Sequence, residues 1–138
     1  MKHYTITLNE EQLMIISNCV EDVHRFLCGD TTLRYATSVL DVKDRNVLQK
    51  RLEQLKPLVT PRLLLYQEYD WAGNGCPNEA QRRMIAQTYY LYREMLHKYT
   101  LANNYNNVYS SPTLTCEDGG EPIKITLEDE QCPNFIKR

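Results

Sequence analysis

Long hydrophobic runs are missing from this 138-residue sequence: Leu13-Met14-Ile15-Ile16 and Leu63-Leu64-Leu65-Tyr66 each stop at four residues. A bilayer span needs about 20 apolar residues in a row, so no segment qualifies as one. The opening Met1-Lys2-His3-Tyr4-Thr5 lacks the apolar core of a secretory signal, so a cytoplasmic protein is expected. A basic excess is also missing. The formal net charge of -2 argues against a dedicated nucleic-acid polymer as partner. Cysteines are present, at 19, 28, 76, 116 and 132, but their number is odd and no two stand in C-x-x-C spacing. A disulfide framework and a zinc site each need a different pattern, so free, mostly buried thiols in a reducing compartment are expected. Cys76 lies in a glycine-rich loop ahead of a helix, where a thiolate gains some stabilisation, yet no histidine is near it in sequence.

Catalytic signatures are absent too. There is no G-x-S-x-G, H-E-x-x-H, Walker loop or G-x-G-x-x-G. The three histidines, His3, His24 and His97, are scattered, and His24 reads as a structural side chain. Paired carboxylates such as Glu10-Glu11 and Glu117-Asp118 fall where helix starts and solvated tails put them. The expectation is a non-enzymatic protein with no cofactor and no metal.

What is present is the composition of an ordinary globular domain, 42% hydrophobic and 25% charged, on a chain long enough for one core. Residues 3–8 alternate, with Tyr4, Ile6 and Leu8 on one face, and read as a short strand. Asn9 and Gln12 then form a capping box. A helix from Glu10 to Cys28 follows, with Leu13, Ile16, Val20, Val23 and Leu27 as its stripe and Ile15, Cys19 and Phe26 as a second one. A helix apolar on more than one face belongs in a core or at a subunit interface. Gly29 is a natural stop. Residues 31–36 read as either a helical turn or a loop. Asp44 caps a second helix that ends near Leu55, because Pro57 cannot sit deep inside one. Pro61 opens a short helix carrying Leu63 to Tyr66.

The segment Asp70 to Asn78 is a loop, and a long helix runs from Glu79 to Ala102. Its expected core stripe is Met84, Thr88, Leu91, Met95 and Ala102, widened by Ile85, Tyr92 and Tyr99. The asparagines at 103, 104, 106 and 107 end it. From Glu117 onward the chain has six acids and three bases, an acidic tail with a possible strand at Ile123 to Leu127 that pairs with residues 3–8. The fold class is therefore mainly α with a small β element: a compact helical domain over residues 1–108 and an extended acidic tail over 109–138, docked on the domain or free.

Two features rise above background. Arg82, Tyr89, Tyr90, Arg93 and His97 share the face of the long helix opposite its Met84/Leu91/Met95 stripe. Arginine offers a planar fork to phosphate, and tyrosine a ring for stacking on a base. The other reading of this face is a solvated surface or a subunit contact. The second feature is the loop Trp71-Ala72-Gly73-Asn74-Gly75-Cys76-Pro77-Asn78, whose glycines allow close backbone approach just before a helix N-terminus; its other reading is a plain connection with Trp71 tucked onto the core. A phosphate at Gly73, Asn74 and Gly75 would lie near Arg82, so the two features form one candidate site with Trp71 at its edge. Ten tyrosines against two phenylalanines favour half-buried, amphipathic surfaces.

Three stretches carry a resemblance: Ile6-Thr7-Leu8-Asn9-Glu10-Glu11-Gln12-Leu13; Asn78 to Tyr99, with Glu79-Ala80 at its start and Tyr89 four residues before Arg93; and Tyr109-Ser110-Ser111-Pro112 followed by Gly120-Glu121-Pro122-Ile123. In these the chain resembles a group of small helical proteins encoded by phages and prophages. The resemblance implies an accessory protein in the host cytoplasm and assigns no residue roles. Small phage proteins of this kind often act by stoichiometric binding, including anti-defence proteins that sequester nucleotide immune signals. The expected partner is a small anionic, nucleotide-like ligand, captured by a homo-oligomer; the alternative is a protein–protein adaptor or inhibitor of a host protein.

Overall fold

The computed structural model describes residues 1–62, 79–104, 107, 109, 111, 121 and 123–127. The described chain is mainly helical: α1 (Glu10–Leu27), α2 (Arg34–Ser38), α3 (Arg45–Glu53), α4 (Lys56–Val59) and α5 (Glu79–Ala102). No described helix is long and apolar enough to cross a membrane.

Local signals set the helix ends. Asn9 Oδ1 accepts the Gln12 N–H at 2.8 Å while Gln12 Oε1 accepts the Asn9 N–H at 3.0 Å, closing the capping box. At the other end Gly29 takes φ 104, a conformation that costs a residue with a Cβ. This lets the Asp30 N–H reach Arg25 O at 2.8 Å and the Gly29 N–H reach Phe26 O at 3.1 Å, a Schellman closure. Asp44 accepts from Val47 N–H at 3.1 Å and starts α3. Pro57 stands in the first turn of α4, where its missing N–H costs nothing. Asn104, at φ 56, follows the end of α5.

The expected strand is a correction. Residues 3–8 and 123–127 form no strand, and none occurs among the described residues. Tyr4 and Ile6, which should have covered a core, are 84% and 75% exposed. Alternation yields a strand only when a ladder and a buried face are both available, and a lone two-stranded pairing is marginal in water. His3 of the first segment meets Glu121, which lies just ahead of the second, with Nε2 at 3.2 Å from Oε1.

The two long helices pack antiparallel, as four contacts along them show. Asn103 Nδ2 donates to Glu10 at 3.2 Å, Ser17 Oγ to Tyr92 O at 3.5 Å, His24 Nδ1 to Ile85 O at 2.9 Å, and Gln81 Nε2 to Leu27 O at 3.0 Å. Gln81 also donates to Val59 O at 3.1 Å, which ties the end of α4 into the same corner. Thr31 Oγ1 donates to Leu52 O at 2.6 Å, and Arg45 donates to Thr37 O and Leu40 O at 3.0 and 2.7 Å, so α3 is fastened by polar contacts.

The buried side of α1 differs from the expected one, and that of α5 largely agrees with it. On α1 the buried side chains are Ser17, Glu21, Asp22 and His24, with Cys28 just beyond. Ile16 and Val23, expected in the core stripe, are 37% and 46% exposed, and Ile15 of the second stripe is 54% exposed. On α5 the expected core side holds through Ile85, Thr88, Tyr92 and Met95, which are buried, with Leu91 and Tyr99 half-buried; Met84 and Ala102, near its two ends, are exposed. Burying polar groups is tolerable only where each meets a hydrogen-bond partner, and α1 meets that condition from α2, α5 and its own turns. The rest of the expected α1 stripe, Leu13, Val20 and Leu27, is half-buried, and Leu27 packs against the Cys28/Ile85 cluster.

Candidate functional site

The polar seam between α1 and α5 begins with carboxylates already committed to partners. Glu21, 2% exposed, accepts from Arg25 Nε at 2.8 Å one helical turn away and from the Tyr35 hydroxyl at 3.4 Å. Asp22 reaches across to the start of α2, where Oδ1 accepts the Tyr35 N–H at 3.0 Å and Oδ2 the Ala36 N–H at 2.7 Å. The residue ahead of α2, Leu33, has no capping side-chain oxygen and sits at φ 50. Asp22 is therefore the remote N-cap of α2, and its charge complements that helix terminus.

His24 is held between α1 and α5. The Ile85 carbonyl can only accept, so Nδ1 carries the hydrogen and donates to it at 2.9 Å; Thr88 Oγ1 stands at 3.2 Å from the same nitrogen. Nε2 is then an unprotonated acceptor facing Cys28 Sγ at 3.8 Å. Burial depresses the His24 pKa from 6.5 to about 4; the Ile85 bond opposes that shift, and nearby Arg25 adds to it. A thiol beside a neutral imidazole has the composition of a nucleophilic pair, but Cys28 is 0% exposed and its sulfur meets no solvent. Cys19, in contrast to the expected buried thiols, is exposed. Tyr89 and Tyr92 pack with the His24 ring at 5.8 and 5.2 Å between centroids, and with each other edge-on at 5.8 Å. Burial and the nearby Glu21 push the Tyr92 hydroxyl pKa well above its ordinary value, so it is a neutral donor.

The residues expected on the outer face of α5 do lie along one flank, but this flank turns inward. Tyr90 is 1% exposed, a core ring rather than a stacking platform, and Arg93 is 8% exposed. Arg82, Tyr89 and His97 are half-buried. The expectation of a solvent-facing Arg/Tyr surface is corrected accordingly: the exposed large hydrophobics of α5 are Met84 and Leu101, near its two ends. Tyr109, which sequence reasoning did not single out, supplies the missing wall. His97 Nδ1 donates to Tyr109 O at 3.0 Å, and the Thr100 hydroxyl lies 3.1 Å from the same oxygen. With its backbone held there, the Tyr109 ring stacks on the Arg93 guanidinium, 4.9 Å from Cζ to centroid. The structure thus brings together Tyr89, Arg93 and His97, adds Tyr109, and removes Tyr90. Trp71, Gly73, Asn74 and Gly75 lie outside the described residues, as do Pro61's expected helix at 63–66 and Cys76.

Elsewhere, a shallow recess of about 60 Å³ between α2 and α3 is lined by Thr32, Thr37, Arg45, Leu48, Gln49 and Leu52, room for a few waters rather than a nucleotide. Among the described residues no three His, Cys, Asp or Glu side chains cluster in a way that would hold a metal ion. No protein-family model matches the chain, and no curated protein or solved structure shows significant similarity to it.

Proposed function

We propose that this chain is a non-enzymatic accessory protein of the phage type, which binds and sequesters a small anionic, nucleotide-like ligand along the α5 flank. The observation that carries this reading is the Arg93–Tyr109 stack, a guanidinium fixed against a ring whose backbone is tied to His97 and Thr100. Arg93 meets solvent only at an 8% exposed edge, and a planar cation with restricted side-chain freedom loses less entropy on gripping a phosphate there than a solvated one does. Tyr89, one turn before Arg93, offers the half-buried ring on which a base can stack, and Arg82, two turns earlier, gives a second positive charge. His97 acts here by positioning Tyr109 and makes no ligand contact in this reading. The absence of catalytic signatures in the sequence fits capture rather than turnover, and the phage resemblance supplies the context of an immune signal.

Titration calorimetry with cyclic mono- and dinucleotides and ADP-ribose is the test. One of them is expected to bind stoichiometrically and to be recovered unchanged by chromatography. Arg82→Ala, at a half-buried position that folding tolerates, should weaken it at least about tenfold, the size of one lost charge-assisted contact. Lack of binding by any of these nucleotides, or binding indifferent to both Arg82→Ala and Tyr89→Ala, contradicts the proposal.

A further inference from the structure

We infer that the outward face of α3 and α4 docks on an anionic lipid bilayer, its aliphatic side chains entering the headgroup layer and its cations meeting lipid phosphates. The backbone keeps right-handed helical angles through Gln54, at φ -63 and ψ -17, and Leu55, at φ -77 and ψ -19, so α4 continues the path of α3. Along that path Val47, Arg51, Gln54 and Leu58 recur after four, three and four residues and form one line, with Lys50 beside it. All five are exposed, Val47 at 50% and Leu58 at 79%. The other side is engaged inside the protein: Leu48, Leu52 and Leu55 are half-buried, and Leu52 O accepts from Thr31.

Charge identifies the occupant as an extended anionic surface. Residues 34–62 hold seven Lys and Arg against three Asp and Glu, whereas the rest of the chain holds nine against fifteen. A local net charge of +4 set against -6 elsewhere turns this side toward a polyanion and the remainder away from it. Nucleic acid and membrane both present such a surface, and the side chains select the second. No aromatic residue occurs from 36 to 62 to stack on a base. Val47 and Leu58 gain nothing against phosphate and sugar. A bilayer accepts them at its acyl boundary while the Lys50 and Arg51 stems reach back to the headgroups. An acidic protein would need a fitted apolar recess within an interface of about 800 Å² per side, more than about three helical turns offer, and a bilayer sets no such minimum. No described helix is long and apolar enough to cross a membrane, so the contact is peripheral.

Flotation of the full chain with vesicles tests this. Vesicles of phosphatidylcholine and phosphatidylserine should carry the protein, and phosphatidylcholine alone should not. Binding should fall as salt rises, because the cations are screened. Each cation near an anionic membrane strengthens binding about fivefold, so Lys50→Gln with Arg51→Gln should weaken it about thirtyfold. Leu58→Ser should weaken it several-fold by an amount independent of salt, which separates insertion from charge alone. These positions are exposed, so the circular dichroism spectra should match that of the parent chain. No binding to phosphatidylserine vesicles, or binding indifferent to these variants, overturns the inference. If a DNA oligonucleotide or polyglutamate binds instead and the glutamine pair abolishes that binding, the face serves another polyanion and the lipid assignment falls.

Discussion

The two long helices of this protein bury opposite kinds of surface. On α5 the buried set includes Ile85, Ala86, Tyr90, Tyr92, Met95 and Leu96, mixed with Thr88, Arg93 and Thr100. On α1 the buried residues are Ser17, Glu21, Asp22 and His24, while Ile15, Ile16 and Val23 are exposed and Leu13, Val20 and Leu27 half-buried. The difference shows that partners, rather than polarity, decide which face turns inward. A buried donor or acceptor without a partner costs about 1–3 kcal/mol, but the same group with a partner is close to neutral. Each of the four buried α1 side chains has a hydrogen-bond partner. Ile15, Ile16 and Val23 are the aliphatic residues this leaves exposed on α1.

The comparison breaks most visibly when an aliphatic residue is truncated on each helix. Ile85→Ala, at 3% exposure beside Cys28 and Leu27, should cost about 3 kcal/mol, the usual range for an isoleucine removed from a packed site. Ile16→Ala on α1, at 37% exposure, should cost less than about 0.5 kcal/mol. Urea denaturation of both variants checks the contrast. Equal losses would mean that the two helices bury the same kind of face.

Acid sharpens the comparison from the polar side. His24 has a folded-state pKa of about 4, below its ordinary 6.5, because burial disfavours the imidazolium. The unfolded chain therefore binds the proton first as pH falls. His24 contributes no pH-dependent loss above pH 6.5, and stability declines as pH drops from 6.5 toward 4 by roughly 1.4 kcal/mol per unit. Denaturation midpoints at pH 7 and pH 5 measure this, and His24→Gln should flatten that part of the profile. A smaller effect is expected at the end of α1. Gly29→Ala places a Cβ at φ 104 and should destabilise by about 1 kcal/mol, visible as a lower midpoint in the same assay.

Much of the fold was legible in the sequence because its signals are local. The Asn9/Gln12 box, the Gly29 stop, the Asp44 cap, the break before Pro57 and the span of α5 all depend on neighbours within a few residues. Helix orientation was not legible, because stripe reading assigns apolar residues to the core. Ser17, Glu21, His24 and Cys28 recur at the same helical spacing as a hydrophobic stripe, and that recurrence of polar side chains was the signal to heed. The flank of α5 was found through its arginines and tyrosines, but its burial depends on tertiary contacts such as Tyr109, which lies beyond the end of the helix it meets. The strand at residues 3–8 failed for a related reason: alternation describes a face, and no ladder was there to use it.

The contrast between α1 and α5 rests on which side of α1 faces inward, and two native cysteines on opposite sides of that helix report it. Brief labelling of the folded, dilute protein with a small maleimide, followed by peptide mass spectrometry, should modify Cys19 rapidly and leave Cys28 protected until denaturant is added. Equal labelling of Cys28 and Cys19, or protection of Cys19 alone in the monomer, would show that α1 turns its aliphatic face inward, contrary to this account.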